Sequence, residues 1–103
     1  LLDLAACSDV DLAGQVAEDM QADMKGQTAS ILRQIDKLLA RSGSDKSKIL
    51  SAVIYVADMR LKPKMYEAWM EWMDLQHSPA RATVEARLGS ADTLVEIMCV
   101  AAK

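Results

Sequence analysis

Arg81 and Glu96 are the two charged side chains on which chemistry in this chain could rest. They fall in PARATVEARL, residues 79–88, and TLVEIMCVA, residues 93–101, both of which read as strands. Side chains alternate across a pleat, so the first stretch puts Arg81, Thr83, Glu85 and Arg87 on one face and Ala82, Val84, Ala86 and Leu88 on the other. The second gathers Leu94, Glu96, Met98 and Val100 opposite Val95, Ile97, Cys99 and Ala101, which leaves Glu96 a lone carboxylate in an apolar strand. Gly89-Ser90 reads as a two-residue hairpin loop. That pairing sets Leu88 beside Ala91, Thr83 beside Glu96 and Arg81 beside Met98, making Arg81 and Glu96 same-face diagonal neighbours with Cβ atoms roughly 7 Å apart.

A guanidinium that is always charged presents a planar fork of donors to a carboxylate, and a carboxylate beside it can take and return a proton. Together they could bind a small acid and move a proton on it. The plainer description is an Arg–Glu ion pair across a sheet edge, which is common and weak, and the spacing leaves both readings open. Gly14, inside an earlier strand, marks a bulge, a close approach of another group, or simply a weak strand. His77, in the loop before Pro79, is expected to be exposed and without a Cys, Asp or Ser partner.

These side chains need a scaffold, and 103 residues set its size. One domain over residues 1–103 buries only about two-thirds of its unfolded surface, so assembly would help it. A chain 51% apolar and 26% charged, with two prolines and four glycines, fits a folded globule and excludes collagenous or low-complexity structure. The net charge is −3 with Lys and Arg interspersed among Asp and Glu, so no basic stripe is present to neutralise phosphates and nucleic acid is disfavoured. Cys7 and Cys99 make neither a metal spacing nor a disulfide framework, and a bridge between them is not expected in a cytoplasmic protein. No apolar run reaches the ~18 residues that span a membrane and no basic segment precedes the apolar Leu1 to Cys7 stretch, so a cytoplasmic protein is the expectation. The chain opens on Leu1 rather than Met, and the sequence leaves open whether residues precede it.

Leu1 to Ala6 and Val10 to Ala17 read as short strands joined by a turn at Cys7-Ser8-Asp9. Asp23 begins a long helix whose Met24, Ile31, Leu32, Ile35, Leu38 and Leu39 form a one-sided stripe, with Ser42-Gly43 as its left-handed stop and Arg33, Lys37 and Arg41 on a solvated face. Ile49 to Ala57 is apolar on both pleat faces and should be central. Pro63 suits a first helical position, and Lys64 to Leu75 forms a second helix whose Met and Trp side chains pack in the core, while Tyr66 and Glu67 reach solvent or an interface. The order strand, strand, helix, strand, helix, strand, strand gives two crossovers and a terminal hairpin, a mixed sheet of the α+β class. Two helices cover one face, and identical sheets around a symmetry axis would cover the other.

Four segments of this layout, Leu12-Ala13-Gly14-Gln15-Val16, Ile54-Tyr55-Val56-Ala57-Asp58-Met59, Pro79-Ala80-Arg81-Ala82-Thr83-Val84-Glu85 and Val95-Glu96-Ile97, resemble successive segments of the RidA (YjgF) family. The resemblance runs from about Val10 to Ala102. It implies a chorismate-mutase-like fold, a homotrimer whose sheets form a central barrel, and ligand sites in the clefts between subunits. It also implies hydrolysis of small 2-imino acids to 2-keto acids and ammonia, as by 2-iminobutanoate/2-iminopropanoate deaminases, with no cofactor and no metal. Older labels of endoribonuclease L-PSP or translation inhibitor attach to some members.

Residue by residue, the resemblance makes Arg81 the anchor of the substrate carboxylate and Glu96 the group that activates or protonates water. Gly14 matches the glycine at the cleft floor, and Thr83 falls where deaminase members often have Cys. Ala13 replaces the serine usual before Gly-Gln, and Pro63 replaces an Asn common at the start of the second helix. A tyrosine that many members bring to the pocket from an upstream segment has no counterpart in these residues. Glu85, on the Arg81 face, is a rival base that the family pattern does not favour. The reading is a cytoplasmic, homotrimeric imine deaminase taking a small imino or keto acid, with no nucleic-acid or membrane partner. The alternative is a non-catalytic small-carboxylate-binding or protein-protecting module of the same fold. A nuclease would want a basic cleft or metal-binding carboxylates, and the sequence offers neither.

Overall fold

The computed structural model of the chain describes residues 9–103, so the strand expected over Leu1 to Ala6 and any Cys7–Cys99 bridge lie outside the described residues. Six main elements follow in order: β1 (Asp9–Gln15), α1 (Met24–Arg41), β2 (Ile49–Val56), α2 (Lys62–Trp72), β3 (Ala80–Glu85) and β4 (Val95–Ala102).

The helix α1 starts where the sequence puts a capping carboxylate: Asp23 accepts the Gly26 N–H at 2.8 Å, satisfying one of the free donors of the first turn. Its buried stripe is Met24, Ile31, Leu32, Ile35 and Leu39. It ends at Gly43, whose φ of +79° is a left-handed conformation that favours glycine, and the Ser44 N–H closes back on the Leu39 carbonyl at 2.8 Å. In α2, Pro63 lies in the first turn as expected, and Met65, Ala68 and Trp69 are buried. Met70 and Leu75, expected in the core, are instead exposed.

The four strands form one sheet in the order β1-β4-β2-β3. β4 runs antiparallel to both β1 and β2, while β3 runs parallel to β2. β3 and β4 therefore do not form the expected hairpin; β2 lies between them. After β3 the chain crosses the end of β2, held where the Ala86 N–H meets the Val56 carbonyl and the Ala57 N–H meets the Leu94 carbonyl, each at 2.9 Å. The physical reason is burial: β4 buries Val95, Ile97, Cys99 and Ala101 and gains by having a strand on each side, whereas β3 is mostly exposed and suits an edge.

The alternation itself holds. Ala52, Ile54 and Val56 of β2 stand with Cys99, Ile97 and Val95 of β4 on the face covered by the helices, with Ile31, Leu32, Ile35, Leu39, Met65 and Trp69 packed against them. Each such side chain fully removed from water contributes about 1.5–3 kcal/mol. On the other face Leu50, Val84 and Met98 are exposed and Tyr55 is half-buried. The architecture is α+β, a mixed sheet with two helices on one face.

Candidate functional site

Arg81 aligns with Ala52, which aligns with Cys99, so its side chain rises from the edge strand on the helix-covered face. There its guanidinium lies over the Tyr66 ring at 4.8 Å and beside the Trp69 ring at 5.5 Å, measured to the centroids. The two rings stand one turn apart on α2 and attract the cation through their π faces. Stacking uses the face of the guanidinium and leaves its N–H edge for a planar acceptor. Among the described residues no carboxylate comes within 4.0 Å of Arg81. Thr83, half-buried, shares this face two residues along β3, and so does Glu85, whose Oε1 accepts the Met59 N–H at 2.8 Å. That bond gives Glu85 a structural task at the turn after β2.

Glu96 aligns with Tyr55 on the uncovered face, two residues before Met98. It is half-buried. The register between β1 and β4 slips by one residue between Leu12 and Gln15, a bulge that contains Ala13 and Gly14. A Cβ built on Gly14 would stand 2.9 Å from Cδ, 3.0 Å from Oε1 and 3.1 Å from Cγ of Glu96. Gly14 is thus the close approach that a strand glycine can signal: the missing side chain is the space the Glu96 carboxylate occupies.

Arg81 and Glu96 are not the same-face neighbours expected of a hairpin. They lie on opposite faces of the sheet and on strands separated by β2, a lateral distance of roughly 9–10 Å at about 4.8 Å per strand. Of the expected site residues, the fold gathers Arg81 with Thr83 on one face and Glu96 with Gly14, next to Ala13 in the bulge, as two separate groups. His77 is exposed as expected but has a partner after all, its Nδ1 lying 2.9 Å from Asp74 Oδ2 within a short 3-10 turn. This hydrogen bond, before the Gln76 N–H, holds the Asp74 carboxyl below the usual carboxylate range.

Sequence reasoning missed the aromatic platform under Arg81. Its signal was available in the spacing of Tyr66 and Trp69, but that spacing states nothing about which strand α2 covers. It also missed Gln27, which is fully buried and fully bonded: its Nε2 faces the carbonyls of Met20, Ala22 and Asp92, and its Oε1 accepts the Leu94 N–H at 3.0 Å. Gln27 ties the crossing loop to α1. Among the described residues no three His, Cys, Asp or Glu side chains converge as metal ligands, and no helix is long and apolar enough to cross a membrane.

An α+β sheet with helices on one face, an edge arginine that has no carboxylate partner among the described residues and a carboxylate seated on a bulge glycine define the class of fold and candidate site. Comparison with known proteins gives the family. Residues 6–103 match the family described as Endoribonuclease L-PSP. A RutC family protein of Haemophilus ducreyi is 46% identical over 90 residues, covering 87% of this chain and 77% of the relative. The RutC family protein YoaB of Escherichia coli is 45% identical over 87 residues, covering 84% of this chain and 76% of its own. Among solved structures, a member of the YjgF protein family from Neisseria meningitidis superposes with a TM-score of 0.89 at 43% identity, covering 92% of this chain and 79% of that one. The chain belongs to the RidA/YjgF family, also called RutC or L-PSP.

Proposed function

We propose that the protein is a homotrimer that hydrolyses small 2-imino acids to 2-keto acids and ammonia at clefts between subunits. The observation that carries this reading is the division of the site: Arg81 and Glu96 face opposite sides of one sheet, so one ligand can meet both only across a subunit boundary. The apolar face with exposed Leu50, Val84 and Met98 supports the trimer, because burying it against two copies removes that surface from water.

In this reading the Arg81 fork holds the ligand carboxylate and the aromatic platform fixes the fork in place. Glu96 from the neighbouring subunit takes a proton from water as the water oxygen attacks the imine carbon. The same carboxyl returns that proton to nitrogen to give the carbinolamine, then takes the hydroxyl proton and passes it to nitrogen as the C–N bond breaks, so that the C=O bond of the keto acid forms and ammonia leaves. Neither an oxidant nor a metal is required by this balance. Gly14 keeps the carboxylate at its post, and Thr83 and Ala13 border the ligand.

The experiment generates the imine in place with an amino-acid oxidase, traps what remains with semicarbazide, and compares wild type with Glu96→Gln and Glu85→Gln. Glu96→Gln should lower turnover by about 10²-fold or more. A dead Glu85→Gln variant beside an active Glu96→Gln variant would reassign the base. Ala13 favours a second reading, a carboxylate-binding module without turnover, because a methyl group there offers no hydroxyl beside Glu96. Keto-acid binding without acceleration for any imine would establish it.

A further inference from the structure

We propose that the hollow beside Arg81 is a subsite for the ligand's side chain, so that the acids this protein prefers carry a bulky apolar tail. The inference rests on Arg81 as the carboxylate anchor. A cavity of about 390 Å³ opens next to the guanidinium, walled by the apolar Trp69, Met70, Met73, Leu75 and Pro79 together with Tyr66 and Ser78. Among the described residues, Arg81 is the only charged one lining it. An acid whose carboxylate sits on the Arg81 fork therefore meets a wall of mostly apolar side chains, with Ser78 and the Tyr66 hydroxyl as its neutral polar groups.

Core packing accounts for Trp69 and Met73 but not for the rest of the wall. Tyr66 is 39% exposed, Met70 38% and Leu75 64%, three large apolar groups left in water around one hollow. Exposed apolar surface with a single fixed charge at its edge is the composition of a site for an amphipathic ligand, in which the charge orients and the apolar wall selects. Met70 and Met73 are unbranched thioethers that adjust to branched or aromatic tails.

A second hollow of about 410 Å³ lies on the other side of Tyr66, where Lys62 and Pro63 join Tyr66 and Arg81. Its Lys62 would suit a second carboxylate. The two hollows thus make different demands on a ligand, since Lys62 lines one and not the other.

Calorimetric titration of the full-length protein with pyruvate, 2-oxobutanoate, 4-methyl-2-oxopentanoate, phenylpyruvate and 2-oxoglutarate tests the proposal. Each methylene that leaves water should tighten binding by up to about 4-fold, so the branched acid should bind at least about 10-fold tighter than pyruvate. A Met70→Ser/Leu75→Ser variant should bring that ratio toward one, and Arg81→Ala should weaken every acid in the series. Equal affinities for pyruvate and the branched acid, with Arg81 dependence intact, would overturn the subsite and leave the anchor standing. Preference for 2-oxoglutarate would move the subsite to the Lys62 side and also overturn the proposal. Binding of no acid at all would remove the anchor and the subsite together.

Discussion

Replacing Gly14 by alanine isolates what the bulge does for the site. Gly14 does not have positive φ, so alanine costs no backbone strain there; what it lacks is room. The new methyl would stand 2.9 Å from Glu96 Cδ, whereas carbon atoms in comfortable contact are about 3.5–4.0 Å apart, so the carboxyl must retreat by roughly half an ångström or more. The atoms met are the far end of a half-buried side chain with freedom to turn, so the fold should lose about 1 kcal/mol or less. A catalytic group displaced by about 1 Å can cost 10²-fold, so turnover of the imine should fall by about 10-fold or more while keto-acid affinity through Arg81 is kept. The assay pairs steady-state kinetics with urea unfolding for wild type, Gly14→Ala, Glu96→Asp and the double variant. The shorter aspartate leaves space for the methyl, so the two substitutions should couple, their joint effect being smaller than the product of the single effects. A Gly14→Ala protein with full activity, or strict additivity in the cycle, would refute the idea that this glycine seats the carboxylate.

Arg81→Ala should weaken small-carboxylate binding by about 30-fold or more, whereas Arg87→Ala, beyond the end of β3, should change it little; titration calorimetry on both variants decides. Light scattering should give the mass of three chains at micromolar concentration, and Val84→Lys, which puts a charge on the uncovered face, should release monomers. Burial pushes the Cys99 thiol up to about 11, so in a Cys7→Ser background it should resist alkylation at pH 8 until urea exposes it. The Asp58 and Asp74 carboxyls are held below their usual range, by hydrogen bonds first from Arg60 and His77 respectively. A folded value below the unfolded one stabilises at neutral pH, and this stabilisation is lost as pH falls from about 4 through the folded values. Melting temperatures from pH 6 to pH 2.5 should therefore fall less steeply in an Asp58→Asn/Asp74→Asn variant.

The parts of the fold that depend on local patterns were legible in the sequence. Asp23 and Gly43 bracket α1 because a cap and a left-handed residue act on their own neighbours. The alternation in β3 and β4 assigned Arg81, Thr83 and Glu85 to one face and Val95, Ile97, Cys99 and Ala101 to one face correctly. What the alternation cannot state is which strand lies beside which. Gly89-Ser90 suits a tight hairpin, yet residues 86–94 instead pass beneath the end of β2. A clue was present: a strand as apolar as β4 belongs inside a sheet, and one carrying Arg81 and Glu85 belongs at its edge. That error displaced Glu96 from Arg81, while the Gly14–Glu96 contact, made between segments 82 residues apart, depends on a bulge register that only three-dimensional pairing fixes.

The position of β4 also governs how the chain can fold. It is the last of the described elements in chain order, and it pairs with β1 and β2, which stay apart until it arrives. Val10 meets Ala101 only after nearly the whole chain has been threaded, so the closing contacts carry a large loop-closure cost and refolding should be slow for a domain of this size. During synthesis, β1 and β2 expose hydrogen-bonding edges until the C-terminal strand leaves the ribosome. A stop codon before Val95 would remove more than one strand: it would leave β1 without its partner and β2 paired only with β3.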